Sequence, residues 1–292
     1  MMSVDFFGDH ELIFLGTGGG RIHCVTQYRK TGGIIYSFNG TQVHIDPGPG
    51  AIVYLNQMKI NRLKTKWIVV THHHTDHSND VPVIIESIHE RLSVPAGTLI
   101  STEEYISQLP DFYKNILKEI IALKPGKEVP LTEYTKITGT KTVHGDVEGF
   151  GLIFEQTSPI DPQKKYKIAF TSDTEIFSGY SDIFKDVDVF IANVLRPNDR
   201  HCDRHTSVDE IIPELKKIRP SAAIITHFGA FMDSKLLSGG DLVPDQAKKI
   251  QIALGDDVKV IGASDGLRLN INELLLKKIS DSQTSIKIYK QN

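Results

Sequence analysis

At 292 residues, with 40% hydrophobic and 24% charged side chains, the chain has the composition of an ordinary globular protein with enough apolar mass for a proper core. Its 33 basic and 36 acidic residues leave a formal charge of −3, which is not a nucleic-acid-binding balance, although Arg62, Lys64 and Lys66 form a local basic patch. Cys24 and Cys202 lie far apart, in no zinc-knuckle or redox spacing, and neither a signal peptide nor a membrane-length apolar run is present, so a cytoplasmic enzyme without a membrane partner is expected.

Glu11 to Leu15 reads as a first strand running into Gly16-Thr17-Gly18-Gly19-Gly20. The glycine spacing fails the dinucleotide pattern at Arg21 and no helical pattern follows, so the loop either lets backbone approach a crowded site or makes a tight turn. Strands are expected over residues 21–28, 33–38 and 42–45, with Asn39-Gly40 as the hairpin turn between the last two. Asp46 ends this meander, either as a turn former or as a hydrogen-bond partner of a ligand histidine, and Ala51 to Met58 reads as a short helix.

The next stretch organises the chain. Trp67-Ile-Val-Val-Thr71 is a buried strand, and His72-His73-His74-Thr75-Asp76-His77 follows it. A core has no use for four imidazoles and a carboxylate in six positions, whereas a divalent metal does. In extended backbone His72 and His74 share a face and form one chelating unit; Asp76 and His77, at the start of a helix capped by Ser78 or Asn79 with Pro82 in its first turn, can serve a second metal. The competing reading is a surface histidine cluster. Nitrogen and carboxylate ligands suit zinc, and also manganese or iron, so the pattern points to two divalent ions in a dinuclear hydrolytic centre.

Val81, Ile84, Ile85, Ile88 and Leu92 repeat at helical spacing, and residues 97–101 return as a strand. Residues 102–138 are expected to form helices over 102–108 and 112–123 and short strands around Val129 and Ile137, lining a substrate entrance or packing on the core. Three later strands then end in metal-competent residues: 140–143 before His144, 166–172 before Asp173, and 222–226 before His227. Strands converging at their C-terminal edges explain this recurrence. Between the last two lie a strand over 187–194, a polar loop with His201, Asp203 and His205, and a helix over 208–218. A helix over 245–254, a strand over 258–261, a turn at Asp265-Gly266, a strand over 267–269 and an alternating edge strand over 285–289 complete the pattern. No linker splits it, so residues 1–292 are read as a single domain.

These residues resemble the metallo-β-lactamase superfamily, whose H-x-H-x-D-H motif is matched by His72, His74, Asp76 and His77 and whose later ligands are matched by His144, Asp173 and His227. The resemblance implies an α/β protein, an αββα four-layer sandwich with two mixed sheets and the site at one edge. It implies that His72, His74 and His144 hold one metal, that Asp76, His77 and His227 hold a second, and that Asp173 bridges them. The Gly-Thr-Gly-Gly-Gly opening and the loop around His205 look most like the phosphodiesterase branch, which includes tRNase Z and the phosphoribosyl cyclic phosphodiesterases. His205 best matches that branch's additional active-site histidine, with His201 as the fallback.

The activity so implied is hydrolysis of a small or cyclic phosphodiester by a metal-bridged hydroxide, with Asp76 orienting the nucleophile and His205, if protonated, donating to the leaving oxygen. A tRNA 3′-processing endonuclease and a lactone or thioester hydrolase are the alternatives. RNA is the less favoured partner because no long Gly- and Pro-rich arm is evident; a homodimer is allowed.

Overall fold

A computed structural model describes residues 10–157, 163–233 and 240–275. In the first half the elements are β1 (Glu11–Phe14), α1 (Gly20–Thr26), β2 (Ile34–Phe38), β3 (Thr41–Ile45), α2 (Ala51–Gln57), β4 (Thr65–Val70), α3 (Thr75–Ser78), α4 (Val81–Ser87), β5 (Thr98–Ser101), α5 (Glu103–Gln108), α6 (Asp111–Ile116) and β6 (Glu119–Ala122). The second half has β7 (Glu128–Pro130), β8 (Thr135–Lys141), β9 (Phe150–Thr157), β10 (Lys165–Phe170), α7 (Tyr180–Ile183), β11 (Val189–Asn193), α8 (Val208–Ile218), β12 (Ala222–Thr226), α9 (Val243–Leu254), β13 (Lys259–Gly262), β14 (Arg268–Asn270) and α10 (Ile271–Leu275).

The strands form two seven-stranded mixed sheets, in the orders β14-β1-β2-β3-β4-β5-β6 and β13-β12-β11-β10-β9-β8-β7. Side-chain alternation sorts the core into layers. On β4, Val69 points into a cluster shared by both sheets, while Ile68 and Val70 join the residues of α2, α4, α5 and α6 on the other face. On β11, Val189 and Ile191 enter the shared cluster, while Phe190 and Ala192 pack against α7, α8 and α9. Three apolar layers thus separate four structural ones, the expected αββα sandwich. Central strands buried on both faces carry near-continuous apolar runs, which is why β4, β11 and β12 were plain in the sequence.

The expected β1-β2-β3 meander is present and antiparallel. Residues 21–28, expected as a strand, instead form helix α1 as far as Thr26. Both edges of β2 are already taken, by β1 and β3, so the β-branched run Arg21 to Thr26 has no ladder to join, and tertiary context overrides its propensity. The helix expected over 112–123 stops at Ile116: Leu117 is extended at φ −75°, ψ 143°, and Glu119–Ala122 pairs in parallel with β5 as an edge strand. The cap expected at Ser78 or Asn79 is corrected as well, because the motif's helix is the single turn α3 and the longer helix α4 begins after Asp80, with Pro82 in its first turn. The edge strand read over 285–289 lies outside the described residues. Among the described residues no helix is long and apolar enough to cross a membrane.

Candidate metal centre

The metal-competent side chains converge where β3, β4, β8, β10 and β12 end. Several backbones there turn sharply: Asp46, Ser172 and His227 have φ of 51°, 56° and 58°, a left-handed conformation that costs a non-glycine residue free energy and re-aims the chain at a strand end. Two groups result. One is His72, His74, His144 and Asp173, the other Asp76, His77 and His227, and in each the ligand atoms lie within 4.8 Å of one another. In the first, Nε2 of His72 and Nε2 of His144 approach Nδ1 of His74 at 3.0 and 3.1 Å. In the second, Nε2 of His77 and Nε2 of His227 are 3.0 Å apart.

Asp173 touches both groups. Its Oδ2 is 3.4 Å from Nε2 of His77 and 4.0 Å from Nε2 of His144, and its Oδ1 is 3.3 Å from Nδ1 of His227. The carboxamide nitrogen of Asn193, at the end of β11, donates to the same Oδ1 at 2.7 Å and fixes its direction. His205 belongs here too: its Nδ1 lies 3.6 Å from Oδ2 of Asp173, and its ring packs edge-on against His144. His201 does not. It is exposed and held between Glu210 and Asp203, at 2.6 and 3.1 Å, beside the capping box of α8.

The outward nitrogens are occupied in a way that frees the inward ones. Nδ1 of His77 donates to Asp46 at 2.9 Å and Nδ1 of His144 donates to the Arg204 carbonyl at 2.7 Å, so in each ring it is Nε2 that faces the centre. Asp46 is itself held by the Thr71 amide and hydroxyl, at 2.7 and 2.8 Å. It therefore orients a histidine rather than merely forming a turn.

The glycine loop supplies what the sequence left open. The Gly20 amide donates to Oδ2 of Asp76 at 2.6 Å, and at Gly19 a Cβ would fall 2.2 Å from Nδ1 of His227. Backbone does approach a crowded site here. Asn193, the Gly20 amide and the Arg204 carbonyl escaped the reading of the sequence. Only Asn193 left a trace, as a polar residue in an otherwise apolar strand.

Electrostatics agree with the donor set. Burial disfavours charge on His77, but the carboxylates of Asp173, Asp76 and Asp46 outweigh it and hold the imidazole well above its ordinary range. Burial likewise opposes ionisation of Asp173, yet His227 and His77 hold it well below the usual carboxylate value. Burial, then the neighbouring His77, pushes His72 well below its usual value. Burial also drives His205 down to about 4 against the pull of Asp173, which favours its neutral imidazole over the protonated form. Three carboxylates around one buried imidazole call for positive charge, and inward lone pairs call for a Lewis acid. The residues fit divalent metal ions.

A cavity of about 410 Å³ opens onto this centre, lined by His74, Asp76, Asp173 and His205 together with Arg21 and Val25 of α1.

Residues 41–228 match the family model described as the beta-lactamase superfamily domain. An uncharacterized protein of Methanocaldococcus jannaschii, MJ1374, is 31% identical over 270 residues, covering 89% of this chain and 95% of its own. A ribonuclease Z of Thermococcus kodakarensis is 24% identical over 268 residues, covering 74% of this chain and 83% of its own. Among solved structures, a diphosphatase from the PhnP family superimposes with a TM-score of 0.63 at 18% identity, covering 89% of this chain and 97% of that one. With the four-layer fold, the ligand geometry and these matches in agreement, the chain belongs to the metallo-β-lactamase superfamily of metal-dependent hydrolases.

Proposed function

We propose that the protein is a phosphodiesterase acting on a small or cyclic phosphodiester with two divalent metal ions, zinc first and manganese or iron as alternatives. His72, His74 and His144 would hold one ion, Asp76, His77 and His227 the other, and Asp173 would lie between them. The observation that carries this reading is His205, a histidine outside both ligand sets whose Nδ1 lies 3.6 Å from the shared carboxylate. Metals bound there supply a Lewis acid for phosphate oxygens and make water a nucleophile near neutral pH.

The remaining work falls to the chain. Asp46 and the Arg204 carbonyl orient His77 and His144 through their outer nitrogens, and the Asn193 amide keeps one Asp173 oxygen from rotating. The Gly20 amide does the same for Oδ2 of Asp76, which also lies 3.3 Å from Nε2 of His227, and Asp76 would orient the attacking water. His205 faces the cavity as a hydrogen-bond donor to the phosphate or to the oxygen that departs, where charge grows as the P–O bond breaks. A lactone or thioester would give that histidine less to do.

A tRNA 3′-processing endonuclease is the second reading, favoured by the ribonuclease Z relative along 74% of the chain. Against it stand the formal charge of −3 and the absence of a tRNA-gripping arm among the described residues. The test is turnover of bis(p-nitrophenyl) phosphate beside a lactone panel and a precursor tRNA, with metal content measured on the same sample. Lactone turnover without phosphodiester turnover would sink the proposal, and efficient site-specific tRNA cleavage at physiological salt would replace it with the second reading.

A further inference from the structure

We propose that Lys30, Lys59 and Arg268 form a binding site for a small organic dianion, separate from the metal centre and independent of the reaction carried out there.

The three cations meet around one cavity of about 610 Å³, whose lining also includes Met58 and Asp265. That volume suits a small organic molecule, since such sites span roughly 300–1,000 Å³. None of the residues lining it lines the 410 Å³ cavity at the metal centre. Lys30 precedes β2, Lys59 follows α2 and Arg268 begins β14, so the cluster is made by tertiary folding and is not the charged face of one helix.

Each cation is held near its base. The Lys30 amide donates to Oδ2 of Asp265 at 2.9 Å, and its Nζ lies 4.5 Å from the centre of the Tyr54 ring, whose face attracts a cation without neutralising it. Lys59 has φ of 55°, in the left-handed region where a helix end favours glycine, and its amide donates to the Asn56 carbonyl at 3.0 Å. Its ammonium forms no hydrogen bond or ion pair with a described residue. Nη1 of Arg268 donates to Glu11 at 3.0 Å and Nη2 to the Met58 carbonyl at 3.4 Å, which fixes the guanidinium plane while Glu11 offsets part of its charge.

Asp265 is the one carboxylate on this lining, and it is committed elsewhere. Its Oδ1 accepts from the Thr17 amide and hydroxyl at 2.9 and 2.8 Å, and its Oδ2 from the Lys30 amide. Three cations against one carboxylate make a positive cavity on a chain whose formal charge is −3. Like charges gathered this way repel, and an anion between them relieves the repulsion. Ammonium and guanidinium groups donate to carboxylate or phosphate oxygens, while the half-buried Met58 offers an adaptable apolar surface to the carbon skeleton. A dicarboxylate and a sugar phosphate share this chemistry.

Methyl NMR of methionine-labelled protein reads this site directly. The chain has four methionines, and the Met58 signal is assigned by its loss in Met58→Leu. The protein is titrated with glutarate, with glycerol 3-phosphate and with benzene-1,3-disulfonate, whose sulfonates are poor metal ligands; neutral 1,3-bis(methylsulfonyl)benzene is the control. The Met58 methyl should move saturably with the disulfonate and with at least one of the other dianions, and the tighter of those two names the source. Lys59→Gln should raise the Kd by about 10-fold or more, the loss expected for a charged hydrogen-bonding partner. Because Arg268 also pairs with Glu11, Lys59→Gln, which removes no contact within the fold, is the decisive variant. Lys66→Gln, an exposed cation elsewhere on the surface, should leave the Kd unchanged. No saturable movement with any of the three dianions, an equal response to the neutral control, or a Kd that survives Lys59→Gln overturns the inference.

Discussion

The 3.6 Å approach of His205 Nδ1 to Oδ2 of Asp173 joins a histidine outside the two groups to the carboxylate that touches both of them. Whatever reacts at this centre reacts beside His205. Replacing it with alanine should leave metal content unchanged, because the five other histidines and two aspartates remain, and should lower phosphodiester turnover by ~10²–10⁴-fold. Alkyl esters should lose more than p-nitrophenyl esters, whose leaving group needs less help. His201→Ala should change turnover little, since that ring is tied to Glu210 and Asp203. Equal rates for wild type and His205→Ala on every phosphodiester would remove the basis of the proposed function.

Asp173→Ala takes away the carboxylate between the two groups, so on the proposed two-metal reading two cations would face each other without an anion. The variant should bind at most one metal per chain and lose hydrolase activity, read by elemental analysis and by turnover. Two metals and full rate in this variant would refute a shared ligand at position 173.

Gly19→Ala probes the crowding at His227. The added methyl would sit 2.2 Å from the ring nitrogen, far inside contact distance, so the imidazole or the loop must move. We expect weaker metal binding at the Asp76, His77 and His227 group and at least a tenfold loss of activity, by analogy with other losses of ligand support. Metal titration of the variant checks it, and an unchanged affinity would show that His227 can shift without consequence.

His44 gives the fold a pH dependence separable from the metal centre. It is fully buried on β3, donates from Nε2 to the Gly32 carbonyl at 2.9 Å, and burial holds it down to about 4. Its unfolded value is about 6.5, so the unfolded chain binds the proton first as pH falls. The contribution is therefore complete above pH 6.5 and is lost as pH falls through 4, amounting to about 3 kcal/mol. Urea unfolding at pH 7.5 and pH 4.5 should show a smaller loss for His44→Asn than for wild type, although the variant is less stable at pH 7.5. Parallel losses in the two proteins would contradict this assignment.

Most of the centre was legible because ligand chemistry is written in residue type. Histidines and aspartates recur at the ends of apolar runs, and period-two alternation states which of His72, His73 and His74 share a face. Residues that act through backbone atoms leave no such mark, so the Gly20 amide and the Arg204 carbonyl were invisible. The loop between Leu195 and Ser207 was ambiguous for a related reason: His201 and His205 are the same residue type four positions apart, and only the surroundings separate an ion-paired surface ring from one beside Asp173.

The sequence by itself determined the strand core, the set of metal-competent residues and the family, since buried strands and metal-competent side chains are restricted to few residue types. Tertiary structure decided the rest. It made Arg21 to Thr26 a helix because β2 had no free edge, ended α6 at Ile116 because β5 offered one to Glu119–Ala122, and gathered seven metal-competent side chains into two adjoining groups. Local propensity differs among such alternatives by no more than about 1 kcal/mol per residue, less than what pairing and burial contribute, so long-range packing has the last word.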